Sequence, residues 1–267
     1  MQIVRTFWGE MNHTYTLQII DSINLNEIVY VWGKDNYDFI ISKGFRCILV
    51  SDQPYDYTIS KAHHLHDYRN MHHKLVCIDM ATKEFGEILF LDWDCKLIKV
   101  LDDNFYNRIR SGNSIQVPLY MYPKESLDSL IDNNTDEVMT KFFSNLRKNI
   151  KKYSYDWNGC YVLPNTGFVY CRDSSLTSHL CDLSNKLELE ILVEEFALYI
   201  YTSSMYSLEE YIQKIEPSFI SGKSNGHGII QGDEEFCTMS NIWNNYQNKF
   251  NEYVSSIKEK DIYFLHD

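Results

Sequence analysis

The run Leu89-Phe90-Leu91-Asp92-Trp93-Asp94 ends an apolar stretch in two carboxylates one residue apart. In extended chain, residues two apart point to the same side, so Asp92 and Asp94 would project together from one strand end. Paired carboxylate oxygens are ligands for a hard divalent cation. Such a cation can also bridge the oxygens of a diphosphate. A strand end that simply meets water tolerates acids as well, so the triplet has to be read with its surroundings.

Charge sets the first limit. The 267-residue chain has 25 basic and 37 acidic residues, a formal charge of −12. A field of that sign repels nucleic acid and anionic membrane. A phosphate-bearing ligand would therefore need a metal ion or a few local lysines and arginines. Apolar runs reach only about six residues, against the ~20 that span a bilayer. The N-terminus "MQIVRTFWGE" lacks a basic segment followed by an apolar one. Seven scattered cysteines, none in a Cys-x-x-Cys pair, read as reduced thiols. The expectation is a cytoplasmic protein with no integral membrane segment and no nucleic-acid partner.

The elements around the triplet alternate. Residues 2–8, 27–32, 46–51 and 87–92 are β-branched and aromatic runs that read as strands. Helix-like stretches lie between them, at 13–22, 35–43 and 66–85, the last with Met71, Leu75 and Ile78 at helical spacing. Alternation of this kind predicts βαβ units and a mostly parallel central sheet flanked by helices. The second half is more helical, with helices expected at 135–153, 175–187, 190–202, 207–215 and 234–257. Residues 160–173 read as two short strands around Pro164-Asn165-Thr166-Gly167, and "DIYFLHD" closes the chain as a strand-like run. One domain, 1–267, is expected from this length.

The longer stretch "FGEILFLDWDCKLIKVLDD" runs from apolar strand to acidic triplet to short strand, and a helix carrying Lys74 comes directly before it. This resembles the nucleotide-sugar glycosyltransferases of the GT-A fold, in which a D-x-D triplet holds a metal ion on the donor's diphosphate. In the order of its marks it is most similar to the retaining, glycogenin- and galactosyltransferase-like families. The resemblance implies a Rossmann-like α/β domain with a nucleotide-sugar-binding half, 1–110, and an acceptor-side half, 111–267. It implies a donor nucleotide-diphosphate sugar, a UDP-sugar above others, and Mn²⁺ or Mg²⁺ as cofactor. The acceptor would be a hydroxyl of a carbohydrate or glycoconjugate.

The resemblance also assigns residues. Asp94 would coordinate the metal directly, with Asp92 on the ion or on the ribose and donor sugar, and Lys74 near the phosphates. Asn165-Thr166-Gly167 resembles an Asn-Ala-Gly segment that lines the sugar pocket, with Thr166 in place of alanine. Glu194 or Glu195 would meet the acceptor, Asp233 being a weaker substitute, so Glu194, Glu195 and Asn165 are the expected catalytic residues. His266 would complete the metal shell beside Asp92 and Asp94. Phe7 or Trp8, at the end of the first strand, would stack on the nucleobase.

Two other motifs carry less. "HHLHDYRNMHH" (63–73) holds five of the nine histidines but lacks a supporting Cys or Glu pattern, so no dedicated zinc site is expected. "SGKSNGHG" contains Gly-Lys-Ser, but Pro217 stands where a P-loop needs glycine. Two rival readings stay open. A sugar nucleotidyltransferase should show a glycine-rich basic loop after the first strand, where this chain has "FWGEMNHT". A non-catalytic sugar-binding or scaffold module on a degenerate fold would bind no donor through metal.

Overall fold

A computed structural model describes residues 1–7, 26–53, 72–92, 95–133, 137–187, 192–217, 219–222 and 234–266. The helix expected at 13–22, the histidine run up to residue 71 and the Gly-Lys-Ser stretch from residue 223 lie outside these residues.

The first half builds a parallel sheet. Strands β1 (Gln2–Phe7), β2 (Ile28–Trp32), β3 (Arg46–Ser51) and β4 (Ile88–Leu91) pair side by side in the order β3-β2-β1-β4, all parallel. Helices α1 (Lys34–Ser42) and α2 (His72–Phe85) supply crossovers. Every residue of β2 and β4 is buried, as a parallel strand covered on both faces requires. Gly86 follows α2 with φ +72°, and its N–H returns to Thr82 O at 2.9 Å. That left-handed glycine ends the helix and delivers the chain to β4 two residues later.

The remaining elements are β5 (Cys95–Leu97), α3 (Asp103–Ser111), β6 (Ile115–Gln116), β7 (Leu119–Pro123), α4 (Lys124–Asp132), α5 (Glu137–Lys152), β8 (Tyr155–Trp157), β9 (Cys160–Pro164), β10 (Phe168–Cys171), α6 (Ser174–Lys186), α7 (Val193–Ser203), α8 (Leu208–Lys214), β11 (Ile220–Gly222), α9 (Glu234–Ile257) and β12 (Phe264–His266). Side-chain caps fix several starts. Asp102 accepts from Phe105 N–H at the head of α3, Asp173 accepts from Ser175 and Leu176 N–H at α6, and Ser207 and Glu210 form a reciprocal box at α8.

The central sheet is mixed. β10 inserts antiparallel between β4 and β6, completing the order β3-β2-β1-β4-β10-β6. Two smaller sheets, β7-β9-β8 and β11-β12-β5, flank it. The strands on either side of Pro164–Gly167 thus form where expected but join different sheets, β9 with β7 and β8, and β10 with β4 and β6. Alternation along β4 feeds two cores: Ile88 and Phe90 face one, Leu89 and Leu91 the other. The first core also takes Leu75 and Ile78 of α2, Leu176 and Leu180 of α6, and Phe250 and Val254 of α9. The second takes Phe105, Ile109 and Phe264. Both faces of the sheet are therefore covered, and the protein is an α/β fold with a mostly parallel central sheet and a more helical second half. No helix among the described residues is long and apolar enough to cross a membrane.

Candidate active site

Three segments distant in sequence meet at the carboxyl end of β4. Asp92 follows that strand, Asn165–Gly167 lead into β10, and Glu194 and Glu195 occupy the first turn of α7. The Asp92 N–H donates to Gly167 O at 2.8 Å, so the first two segments are joined through backbone. Lys74, near the start of α2, donates from Nζ to Asp92 Oδ2 at 2.5 Å. The Thr166 hydroxyl donates to Glu194 Oε1 at 3.2 Å, and Glu195 follows Glu194 in the first turn of α7.

The cluster is buried. Lys74 is 8% exposed and Glu194 1%. Burial works against the Lys74 charge, but Asp92, Glu194 and Glu195 outweigh it and hold the ammonium above its ordinary pKa. Burial pushes Glu194 up to about 7 against the pull of Lys74. It pushes Glu195 well above its ordinary value, with the Glu194 charge adding to the effect. One lysine thus faces three carboxyl groups, and Glu194 Oε2 is buried with no hydrogen-bond partner among the described residues. Such a cluster accommodates further positive charge.

Helix α7 begins in strained backbone. Leu192 has φ 50° and ψ 39°, and no side chain caps the helix. A left-handed conformation costs a leucine on the order of 1–2 kcal/mol. Packing of its buried side chain with Leu163, Leu127 and Phe196 holds it there. Glutamates in a first turn also complement the positive end of the helix dipole.

Arg5 belongs to the site although its sequence setting gave little sign of it. It is 2% exposed, lies in β1 and pairs through Nε with Glu27 Oε2 at 2.5 Å. Its Nη1 donates to Asp92 O at 2.5 Å and its Nη2 to Cys95 O at 3.1 Å. One guanidinium therefore grips both ends of the segment that carries Asp94. A cation in the middle of an apolar strand was the available signal; its partners were too far along the chain to be inferred.

His266 reaches the same place through β12, which pairs antiparallel with β5 so that His266 stands opposite Cys95. Gly167 makes room for it. A Cβ at Gly167 would lie 2.6 Å from His266 Nε2 and 2.9 Å from Asn165 Oδ1, which itself accepts the Gly167 N–H at 2.8 Å. Phe7 packs elsewhere, in a core with Val29, Val31, Ile40 and Phe45. Trp8, Asp94 and Asp233 lie outside the described residues. The structure thus gathers Lys74, Asp92, Asn165, Thr166, Gly167, Glu194, Glu195 and His266, and leaves Phe7 apart.

Among the described residues no three His, Cys, Asp or Glu side chains form a metal-holding group. Asp92 nevertheless ends one side of the 92–95 segment, and His266 stands across from the other. Carboxylate oxygens suit Mg²⁺ and Mn²⁺. Asp92 and His266 thus bring a carboxylate and an imidazole, donor types that such a cation takes, to the two ends of this segment.

No protein-family model matches the sequence, and no curated protein matches it. Solved structures similar to this chain include the apo form of mouse xyloside xylosyltransferase 1, at 11% identity and a TM-score of 0.48, covering 100% of this chain and 97% of that one. The galactosyltransferase LgtC, in complex with donor and acceptor sugar analogues, is 12% identical with a TM-score of 0.41, covering 100% and 86%. The bifunctional glycosyltransferase WbbM, in apo form, is 9% identical with a TM-score of 0.43, covering 100% of this chain and 45% of that one. All three are glycosyltransferases. At these identities and scores the functional reading rests on the site.

Proposed function

We propose that this protein is a metal-dependent glycosyltransferase that moves a sugar from a nucleotide-diphosphate donor, a UDP-sugar first among candidates, to a hydroxyl of a carbohydrate or glycoconjugate. The observation that carries the proposal is the convergence of Lys74, Asp92, Thr166, Glu194 and Glu195 at the end of β4. Asp92, Asp94 and His266 would hold Mn²⁺ or Mg²⁺, which when bound supplies Lewis acidity to the leaving diphosphate. Lys74 fixes the Asp92 carboxylate and adds positive charge where phosphates would lie. Asn165, Thr166 and Gly167 border the donor sugar. Glu194, pushed up to about 7, is poised to exchange a proton with a hydroxyl near neutral pH. A retaining outcome agrees with the order of these residues along the chain.

The test is a thermal-shift panel of UDP-, GDP-, CMP- and dTDP-sugars with Mn²⁺, Mg²⁺ or EDTA, on the wild type and Asp94→Asn. A ligand that binds only the folded state raises the melting temperature by mass action. One nucleotide sugar should stabilise the wild type only with metal, and Asp94→Asn should lose that response. No shift with any nucleotide under any condition would sink the proposal.

A further inference from the structure

A cavity of about 380 Å³ opens at the β6 edge of the central sheet, two strands away from β4. Its walls include Arg108 and Ser111 of α3, Gln116 of β6, Lys214 of α8, and Phe219 and Lys258. Lys74, Asp92, Thr166, Glu194 and Glu195 do not line it, so this space is separate from the candidate active site. Its volume lies within the range of small-molecule sites, about 300–1,000 Å³.

The walls carry an excess of positive charge in a chain whose formal charge is −12. Arg108, Lys214 and Lys258 line the cavity, and Lys260 stands 4.0 Å from Glu216, a further wall residue. The opposing acids are thinly spread. Asp261 is shared, 3.6 Å from Arg108 Nη1 and 3.1 Å from Lys99 Nζ. Glu210 lies 3.8 Å from Lys214 and also closes the cap of α8. Glu259 lines the cavity but is exposed, and meets Arg108 Nη2 through its backbone carbonyl at 3.4 Å. Glu216, lifted to about 7, is protonated in slightly acidic solution. There, the cations Lys99, Arg108, Lys214, Lys258 and Lys260 outnumber the ionised carboxylates of Glu210, Glu259 and Asp261.

Lys258 registers this excess. Its Nζ donates to the carbonyls of Ile212 and Glu216, which uses two of the three bonds an ammonium can make. Burial holds its pKa below the ordinary value; Glu216 pulls the other way, and the charges of Lys260 and Arg108 push it further down. A cation held down by other cations is relieved by an anion. The contacts of Arg108 with Glu259 and Asp261 are also slack beside the ~2.7–2.9 Å of a good charge-assisted bond. Its guanidinium stands over the Phe219 ring, 5.1 Å from the centroid. A planar fork flanked by ammonium groups matches the oxygens of a phosphate dianion. A bare phosphate would leave most of the volume empty, beside the Phe219 ring and the Gln116 and Ser111 side chains.

We propose that this cavity binds a small phosphate monoester, its phosphate held between Arg108, Lys214 and Lys258 and its organic part lying against Phe219. The site needs no metal and none of the residues at the end of β4, so it stands apart from the glycosyltransferase reading.

Isothermal titration calorimetry at pH 6.5 with EDTA tests it, the probes being glycerol 3-phosphate, glucose 6-phosphate and inorganic phosphate. It compares wild type, Arg108→Gln, Lys214→Gln and, as control, Lys151→Gln at an exposed position near the end of α5, with melting temperatures as the check on folding. At least one ester should bind the wild type more tightly than inorganic phosphate does. That binding should weaken about tenfold after Arg108→Gln, for a lost charge-assisted bond, and several-fold after Lys214→Gln. Lys151→Gln should leave it unchanged. Lys214 is exposed, so its variant keeps the test decisive if Arg108→Gln unfolds. No binding of any phosphate, equal binding by Lys214→Gln and wild type, or an equal loss in Lys151→Gln overturns the site. Inorganic phosphate bound as tightly as both esters overturns the ester. Asp94→Asn should bind the esters as the wild type does. Ester binding by a protein that shows no metal-dependent response to any nucleotide sugar would keep this site and remove the transferase.

Discussion

The Thr166 hydroxyl donates to Glu194 Oε1 at 3.2 Å and ties the entry of β10 to the first turn of α7. The side chain that distinguishes Asn165-Thr166-Gly167 from an Asn-Ala-Gly segment thus engages a carboxyl group. Replacing it with an isosteric apolar residue leaves a buried oxygen without a donor, beside another that already has none. Thr166→Val should cost about 1–3 kcal/mol. Urea unfolding measures this, and an unchanged midpoint would show that the hydroxyl is dispensable.

Arg5 and Glu27 should behave as a buried pair. Breaking such a pair from one side typically costs about 3–5 kcal/mol, because a charge is left buried and uncompensated. Arg5→Met should show a loss of that order, and Arg5→Met with Glu27→Gln a smaller one. The single change also removes the donors to Asp92 O and Cys95 O, so metal-dependent donor binding should stay impaired in the double variant. If the double variant is no more stable than the single, Arg5 and Glu27 are not coupled.

Gly167 and His266 compete for one space. Gly167→Ala places a methyl group against the His266 ring and 2.9 Å from Asn165 Oδ1. Overpacking of this kind costs about 1–3 kcal/mol. His266→Ala should recover part of the lost stability in a double-mutant cycle without restoring any metal response. Additive effects of the two changes would mean that the ring moves aside freely.

Glu216 makes stability fall as pH rises. Burial lifts its carboxyl from 4.5 to about 7, with Lys260 and Lys258 pulling the other way. Between those values the folded protein keeps a proton that the unfolded chain has released. The stabilisation is complete below 4.5 and lost as pH climbs through 7, amounting to at most about 3 kcal/mol. Glu194, also lifted to about 7, acts with the same sign. Glu87, lowered to about 2 chiefly by its hydrogen bond with Arg110, acts oppositely but only below 4.5. Urea midpoints at pH 5 and pH 8 should therefore fall less in Glu216→Gln than in the wild type, and equal falls would contradict the assignment.

The succession of elements was legible because apolar runs such as 27–32 and 87–92 are long, β-branched and sharply bounded. Strand partners were not. Residues 160–164 and 168–171 carry strand character on either side of one turn, and no local pattern says that they enter different sheets. The acid triplet could be read from spacing alone. Arg5 could not, because its partners Glu27, Asp92 and Cys95 lie 22 to 90 positions away. Glu194 and Glu195 read equally well as a solvated pair; the apolar residues on both sides of them were the mark of burial.

The polarity of β10 has a consequence of its own. Phe168, its first residue, stands opposite Leu91, the last of β4, while Cys171 stands opposite Ile88. Had the strand run the other way, Asn165–Gly167 would enter at the foot of the sheet, about 13 Å from the Asp92 end at roughly 3.3 Å per residue over four residues. Reversing one strand shortens that distance to a single hydrogen bond. It is how a late stretch of chain arrives at a place founded by an early one.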